Sequence, residues 1–141
     1  DKDGVIFNFA GVNNGSLDLD TGENIASSDP EGEIQDLGIN GDTDLSKNWL
    51  QQIKAKNGAS LRLLDKSLIN ENFDFKSIKY NEEIINKLWP ISGEITDASA
   101  KIVIGNIFVV KKGNNYYAFE VTDVVVTPND NLDYYELVIK H

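Results

Sequence analysis

The sequence has no cysteine, no methionine and a single histidine, His141, among its 141 residues. Without cysteine there is no disulfide framework and no thiolate metal site. One imidazole at the last position neither builds a histidine metal cluster nor holds steady as a general base, and it is expected to be frayed. The serines are scattered through loops with no histidine to activate them, which excludes a catalytic triad. Basic residues are also few. Against 23 Asp and Glu stand 13 Lys and Arg, a formal net charge of −10. A surface of that sign repels phosphate backbones and anionic lipid heads, so nucleic acid and electrostatic membrane docking are disfavoured. No run approaches the ~18 apolar residues that a membrane-spanning helix needs. No glycine loop suited to cradling phosphate is present, because Gly38-x-x-Gly41 leads into acids rather than into a lysine and a helix.

What remains is a chain of ordinary hydrophobic content, 40%, and of a length that suits one domain with one core. Residues 1–4 read as a polar tether and residues 5–141 as a single β-rich domain. Residues 5–9 alternate, with Val5, Phe7 and Phe9 expected on one face. Asn13-Asn14-Gly15 turns the chain, residues 16–20 alternate again, and residues 34–39 form a further strand. Residues 45–56 admit two readings. Leu45, Trp49, Leu50 and Ile53 have helical spacing, but they also fit one arm of a hairpin about Asn57-Gly58, with residues 59–64 as the other arm. The turn-rich surroundings favour the hairpin. Another strand is expected over residues 73–80. A short helix is expected over residues 81–89, with Asn81 as its cap, acids in its first turn and Pro90 as its stop. Residues 102–104, 107–111, 116–126 and 132–140 read as four strands, the last three forming a meander. Tyr135, Leu137 and Ile139 face one way along the last strand, with Glu136 and Lys140 opposite. The fold class is therefore mostly β, an antiparallel β-sandwich or open barrel with a C-terminal meander and one short helix.

Candidate chemistry is sparse. Asp18-x-Asp20-x-Gly22 starts like a calcium loop, but Gly22, Glu23 and Asp29 occupy the places where such a loop needs a ligand, a glycine and a glutamate. Asp42-x-Asp44-x-Ser46 has Lys47 where the glycine belongs. Acids on the wet side of a strand and its turn explain both, and no metal site is expected. A carboxylate pair could still hydrolyse glycosides without a histidine, yet with 23 acids some pair is always close, so no catalytic residue is assigned. Asn14-Gly15-Ser16 is a formal glycosylation acceptor of a kind common by chance. The aromatics are the better lead. Trp49, Trp89, Tyr116 and Tyr134 are the candidate ligand-binding residues, able to build a sugar-stacking or flat-ligand surface. Neighbouring aromatics on a strand point to opposite faces, so one tyrosine of Tyr116/Tyr117 and one of Tyr134/Tyr135 belongs to the core. Core packing is the commoner role for any one of these side chains.

The opening Asp1-Lys2-Asp3-Gly4, followed by β-like sequence, resembles the mature start of Bacteroidota lipoproteins. In these a short polar tether follows a lipid-bearing cysteine. Leu17-Asp18-Leu19-Asp20-Thr21-Gly22-Glu23, Ile34-Gln35-Asp36-Leu37 and Gly105-Asn106-Ile107-Phe108-Val109-Val110-Lys111 resemble the HmuY-like family of surface lipoproteins. So do Gly113-Asn114-Asn115-Tyr116-Tyr117-Ala118-Phe119-Glu120-Val121 and Tyr134-Tyr135-Glu136-Leu137-Val138-Ile139. The resemblance implies a β-rich, exported ligand-binder at the cell surface or in the periplasm, anchored to the outer membrane by a lipid upstream of Asp1. Haem is the ligand of the best-known members, held by His or Met pairs. This chain has only His141, so no family site residue is carried over and no cofactor is assigned. The expected function is non-enzymatic binding of a small ligand, a glycan or a surface protein. A structural or adhesive protein-interaction module is the alternative, and a carboxylate-pair glycoside hydrolase the third.

Overall fold

The structure, a computed structural model, describes residues 1–41, 48–128 and 130–141. It is mostly β, with two antiparallel sheets. The strands are β1 Lys2–Phe7, β2 Ser16–Asp18, β3 Glu23–Ile25, β4 Ile34–Asp36, β5 Ile53–Ala55, β6 Ser60–Leu64, β7 Ser92–Glu94, β8 Ile107–Lys112, β9 Asn115–Val125 and β10 Tyr134–Lys140. The larger sheet runs β1-β10-β9-β8-β6-β7 and the smaller β3-β2-β4-β5. Ile6, Leu17, Ile34, Ile53, Leu61, Phe108, Phe119 and Leu137 pack between them. The outer face of the larger sheet is also covered: Phe75, Ile78, Ile84 and Leu88 pack on Ile107, Val109 and Ala118. That double covering explains the unbroken apolar run Ile107-Phe108-Val109-Val110, buried at every position. Among the described residues no helix is long and apolar enough to cross a membrane.

The meander β8-β9-β10 and the inward facing of Tyr135, Leu137 and Ile139 agree with the sequence. Other elements differ. Strand β1 begins at Lys2, inside the segment read as tether, and the buried residues are Gly4 and Ile6 within it and Asn8 just past its end, rather than Val5, Phe7 and Phe9. The reason is close packing: a Cβ on Gly4 would lie 2.8 Å from Ile139 Cδ1. Lys140 is buried although it faces away from Ile139, because its outward face lies over the Phe75 ring, 5.0 Å from Nζ to the centroid. Residues 102–104 are not a strand, and residues 73–80 form a 3-10 turn, Phe75–Ser77, capped by the Asp74 side chain on Lys76 N–H at 3.0 Å.

Asn57 and Gly58 both take positive φ, 54° and 83°, as a hairpin turn of the primed type requires. The strands they join nevertheless part company: β5 pairs with β4 in one sheet, and β6 pairs with β7 and β8 in the other. The turn is thus a corner between sheets, not a hairpin. The described residues from 48 to 55 contain no helix, and Leu45 lies outside the described residues. The expected helix is present as a continuous helical stretch: an α turn Asn81–Glu83, a π turn Ile84–Leu88 and a 3-10 turn Trp89–Ile91. Tyr80, not Asn81, is its cap residue, and Glu83 reaches back to accept from the Lys79 and Tyr80 N–H groups at 3.0 and 3.1 Å. Pro90 sits inside the last turn rather than ending the helix before it, since its missing N–H costs nothing in a new first turn.

Candidate functional site

A concavity of 640 Å³ lies where the chain leaves β6 and where it enters and follows β7. Two backbone bonds fix that junction. Asp65 N–H donates to Ile91 O at 2.9 Å, and Ile95 N–H donates to Leu61 O at 2.9 Å. The Asp65 carboxylate then accepts from Ser67 N–H at 3.0 Å and starts the 3-10 turn Lys66–Leu68, which forms one wall. Leu63, Leu64, Leu68, Ile91 and Ile95 make the lining mainly apolar, and Asp65, Ser92, Glu94 and Asn106 supply polar groups. A Cβ built on Gly93 meets nothing within 4 Å. Leu68 is exposed. The volume falls within the range of small-molecule clefts.

A second depression of 430 Å³ shares Lys66 with the first. It is lined by Phe73 and Phe75, by the carboxylates of Glu71, Asp74 and Glu120, and by Gly105. Lys66 crosses the boundary, with Nζ 3.2 Å from where a Cβ on Gly105 would lie.

The four aromatic candidates fall in three places, and none lines either depression. Trp49 is core: its ring lies 4.8 Å from that of Tyr135, and its Nε1 donates to Asp36 at 3.1 Å. Tyr134 packs against Phe7 at 5.4 Å. Trp89 and Tyr116 come together edge to face at 5.4 Å on the outer side of the larger sheet. The Arg62 guanidinium lies 4.3 Å over Trp89, and Lys111 Nζ lies 5.3 Å over Tyr116. Arg62 Nε also donates to Ser92 O and Oγ at 3.1 and 2.9 Å. Both Trp89 and Tyr116 are half-buried, with cations already on their faces. As expected for adjacent strand residues, Tyr117 and Tyr135 are the buried partners of their pairs.

The buried acids serve the fold. Asp36 accepts from Phe9 N–H at 2.9 Å, Gly38 N–H at 2.7 Å, Trp49 Nε1 and the Tyr135 hydroxyl at 2.7 Å. Burial pushes its carboxyl above the usual range, and these donors pull it back. Glu33 accepts from Leu19 N–H at 2.6 Å, and burial raises its carboxyl to about 7, helped by the charge of Asp18. Asp18 Oδ1 caps Asp20 N–H at 2.9 Å, while Asp20 takes the Tyr117 hydroxyl at 2.6 Å. The acids of the first calcium-like loop are thus used in a turn and a clamp, and among the described residues no group of three or more His, Asp or Glu is arranged to hold a metal. The Asp42-Asp44-Ser46 loop lies outside the described residues. His141 packs on the Tyr117 ring at 4.4 Å rather than fraying.

Sequence reasoning did not find the groove. Its walls come from segments some thirty positions apart, and its most open element, Ser92-Gly93-Glu94, carries no apolar or aromatic side chain to mark it. Comparison of this chain with family models, with curated proteins and with solved structures finds no match.

Proposed function

We propose that the protein is a non-enzymatic binding domain that receives an apolar group of its ligand in the groove beside β7. The observation that carries this is the 640 Å³ apolar-lined concavity with polar groups at its rim. Binding in place of catalysis accords with the absence of cysteine and with Asp65 being held in a turn cap. A cell-surface or periplasmic setting, with the HmuY-like relationship, belongs to the same proposal and rests on the resemblance together with the all-β fold.

The test uses the neutral apolar dye N-phenylnaphthylamine, whose fluorescence rises in apolar surroundings. The dye should brighten with the parent protein and not with Gly93→Trp, a substitution whose Cβ meets nothing within 4 Å. Equal brightening with both proteins would overturn the reading.

One observation favours the alternative, a protein-interaction module. Phe9, Val12, Val126 and Leu132 are all exposed, Val12 at 90%. The loops carrying them are tied into one tip by Asn8, whose Nδ2 donates to Asp133 at 2.9 Å and Asn131 at 3.3 Å. Aspartate at both Val12 and Leu132 would abolish adhesion through this tip and leave dye binding unchanged.

A further inference from the structure

The two depressions have different chemistry, and that difference describes an occupant. The groove beside β7 is mainly apolar, whereas the annex beyond Lys66 sets the carboxylates of Glu71, Asp74 and Glu120 against Lys66 and the Lys140 ammonium, with Phe73 and Phe75 as walls. Building on the groove reading of the preceding section, we infer that the occupant is an extended segment of a partner protein carrying an apolar side chain followed by lysine or arginine. The apolar side chain lies over Gly93, and the basic one crosses Lys66 into the annex.

Three arguments support this occupant. The first is charge complementarity. The annex has three carboxylates against Lys66 and the Lys140 ammonium over Phe75, an excess of one negative charge, and the chain as a whole carries −10. A cation is drawn there by both the local and the global field. The second is the wall chemistry. A bare metal ion has no use for phenylalanine walls, whereas lysine and arginine lay an aliphatic stem along apolar surface and keep the charge at the carboxylates. The third is shape. The two depressions meet at Lys66 and have volumes of 640 and 430 Å³. A chain advancing ~3.3 Å per residue reaches from one to the other within a few residues, and Glu94 and Asn106 at the rim offer polar groups to its backbone.

The experiment compares three dye-labelled peptides with the same Leu-Leu-Gly half, followed by Arg-Arg, Gly-Gly or Glu-Glu. Binding to the folded full chain is read by fluorescence anisotropy. The Arg-Arg peptide should bind at least about tenfold more tightly than the Glu-Glu peptide at low salt, and the ratio should shrink as salt screens the annex. Two exposed charges are then reversed. Glu71→Lys should weaken Arg-Arg binding severalfold. Lys66→Glu should strengthen it severalfold, a gain that misfolding cannot produce. Failure of all three peptides to bind, equal affinity for all three, or a preference unmoved by either reversal would overturn the inference. So would equal binding of spermine and the Arg-Arg peptide, since the site would then take an amine without its apolar neighbour. The outcome separates from that of the groove reading. If the dye of the preceding section responds to Gly93→Trp while the peptides show no charge preference, the groove stands and the basic occupant falls. If the dye shows no groove binding, the groove reading itself has failed.

Discussion

A carboxylate shut in a core is stabilising only while its donors are present, and Asp36 has donors from three parts of the chain. Phe9 and Gly38 supply backbone N–H groups, and Trp49 and Tyr135 supply side chains. Tyr135→Phe keeps the ring and removes one donor, so it should cost about 1–3 kcal/mol in urea unfolding. A change below the error of the measurement would show that Asp36 holds a proton and needs fewer donors. Glu33 gives a prediction in pH. Its carboxyl titrates near 7 when folded and near 4.5 when exposed. Between those values the unfolded chain has lost the proton that the folded chain keeps. Glu33 therefore subtracts stability as pH rises from about 4.5 to about 7, and the loss is complete above 7. Glu33→Gln cannot ionise and can still accept from Leu19. Relative to the parent, it should melt higher at pH 8, with the difference fading toward pH 4. A difference of constant size across that range would rule out Glu33 as its source.

At the scale of elements, the segment from Phe75 to Leu88 is the lid of a second core, and it should behave as one. Phe75→Ala and Leu88→Ala each empty a site that is 4% and 0% exposed, and each should cost about 2–5 kcal/mol in denaturant unfolding. Values near zero would mean that the segment is not docked in solution. How well these elements could be read from the sequence follows from how much of each is decided locally. The meander was legible because Ile107 to Val110, Tyr116 to Val121 and Tyr135 to Ile139 combine β-formers with short polar turns. Asn57-Gly58 announced its turn conformation correctly, but the pairing of the flanking strands is settled by distant partners, β4 on one side and β8 on the other. Residues 73–80 read as a strand, yet the Asp74 side chain competes for the backbone and caps a turn instead. Ile102-Val103-Ile104 has strand composition, but Ile102 N–H is taken by Gln51 O at 2.7 Å, so the segment borders β5 as an irregular cover. The groove beside β7 had no local signal because Gly93, at its open side, carries no side chain.

Across the whole molecule, exposed sheet edges are guarded by different devices. On β1, Val5 O accepts from Asn24 Nδ2 at 2.9 Å, and Phe7 N–H donates to Asn14 O at 3.2 Å. On β5, Ser99 answers both the N–H and the C=O of Ile53, at 3.0 and 2.9 Å. Strand β7 is only three residues long, and Arg62 covers the Ser92 carbonyl. Such measures keep sheets from pairing between molecules. Arg62→Ala removes one of them, and it should raise the fraction of high-mass species in sedimentation velocity above that of the parent at equal concentration; an unchanged profile would mean that the shortness of β7 is protection enough. The pairing of β1 with β10 has a mechanical consequence. Lys2 lies opposite Ile139, and Phe7 lies opposite Tyr134. A pull applied through residues 2 and 139 loads a single rung, so the pair opens like a zipper at low force. A pull through residues 7 and 139 loads every rung together in shear and meets far greater resistance. The strength of this domain under tension is therefore set by where it is held.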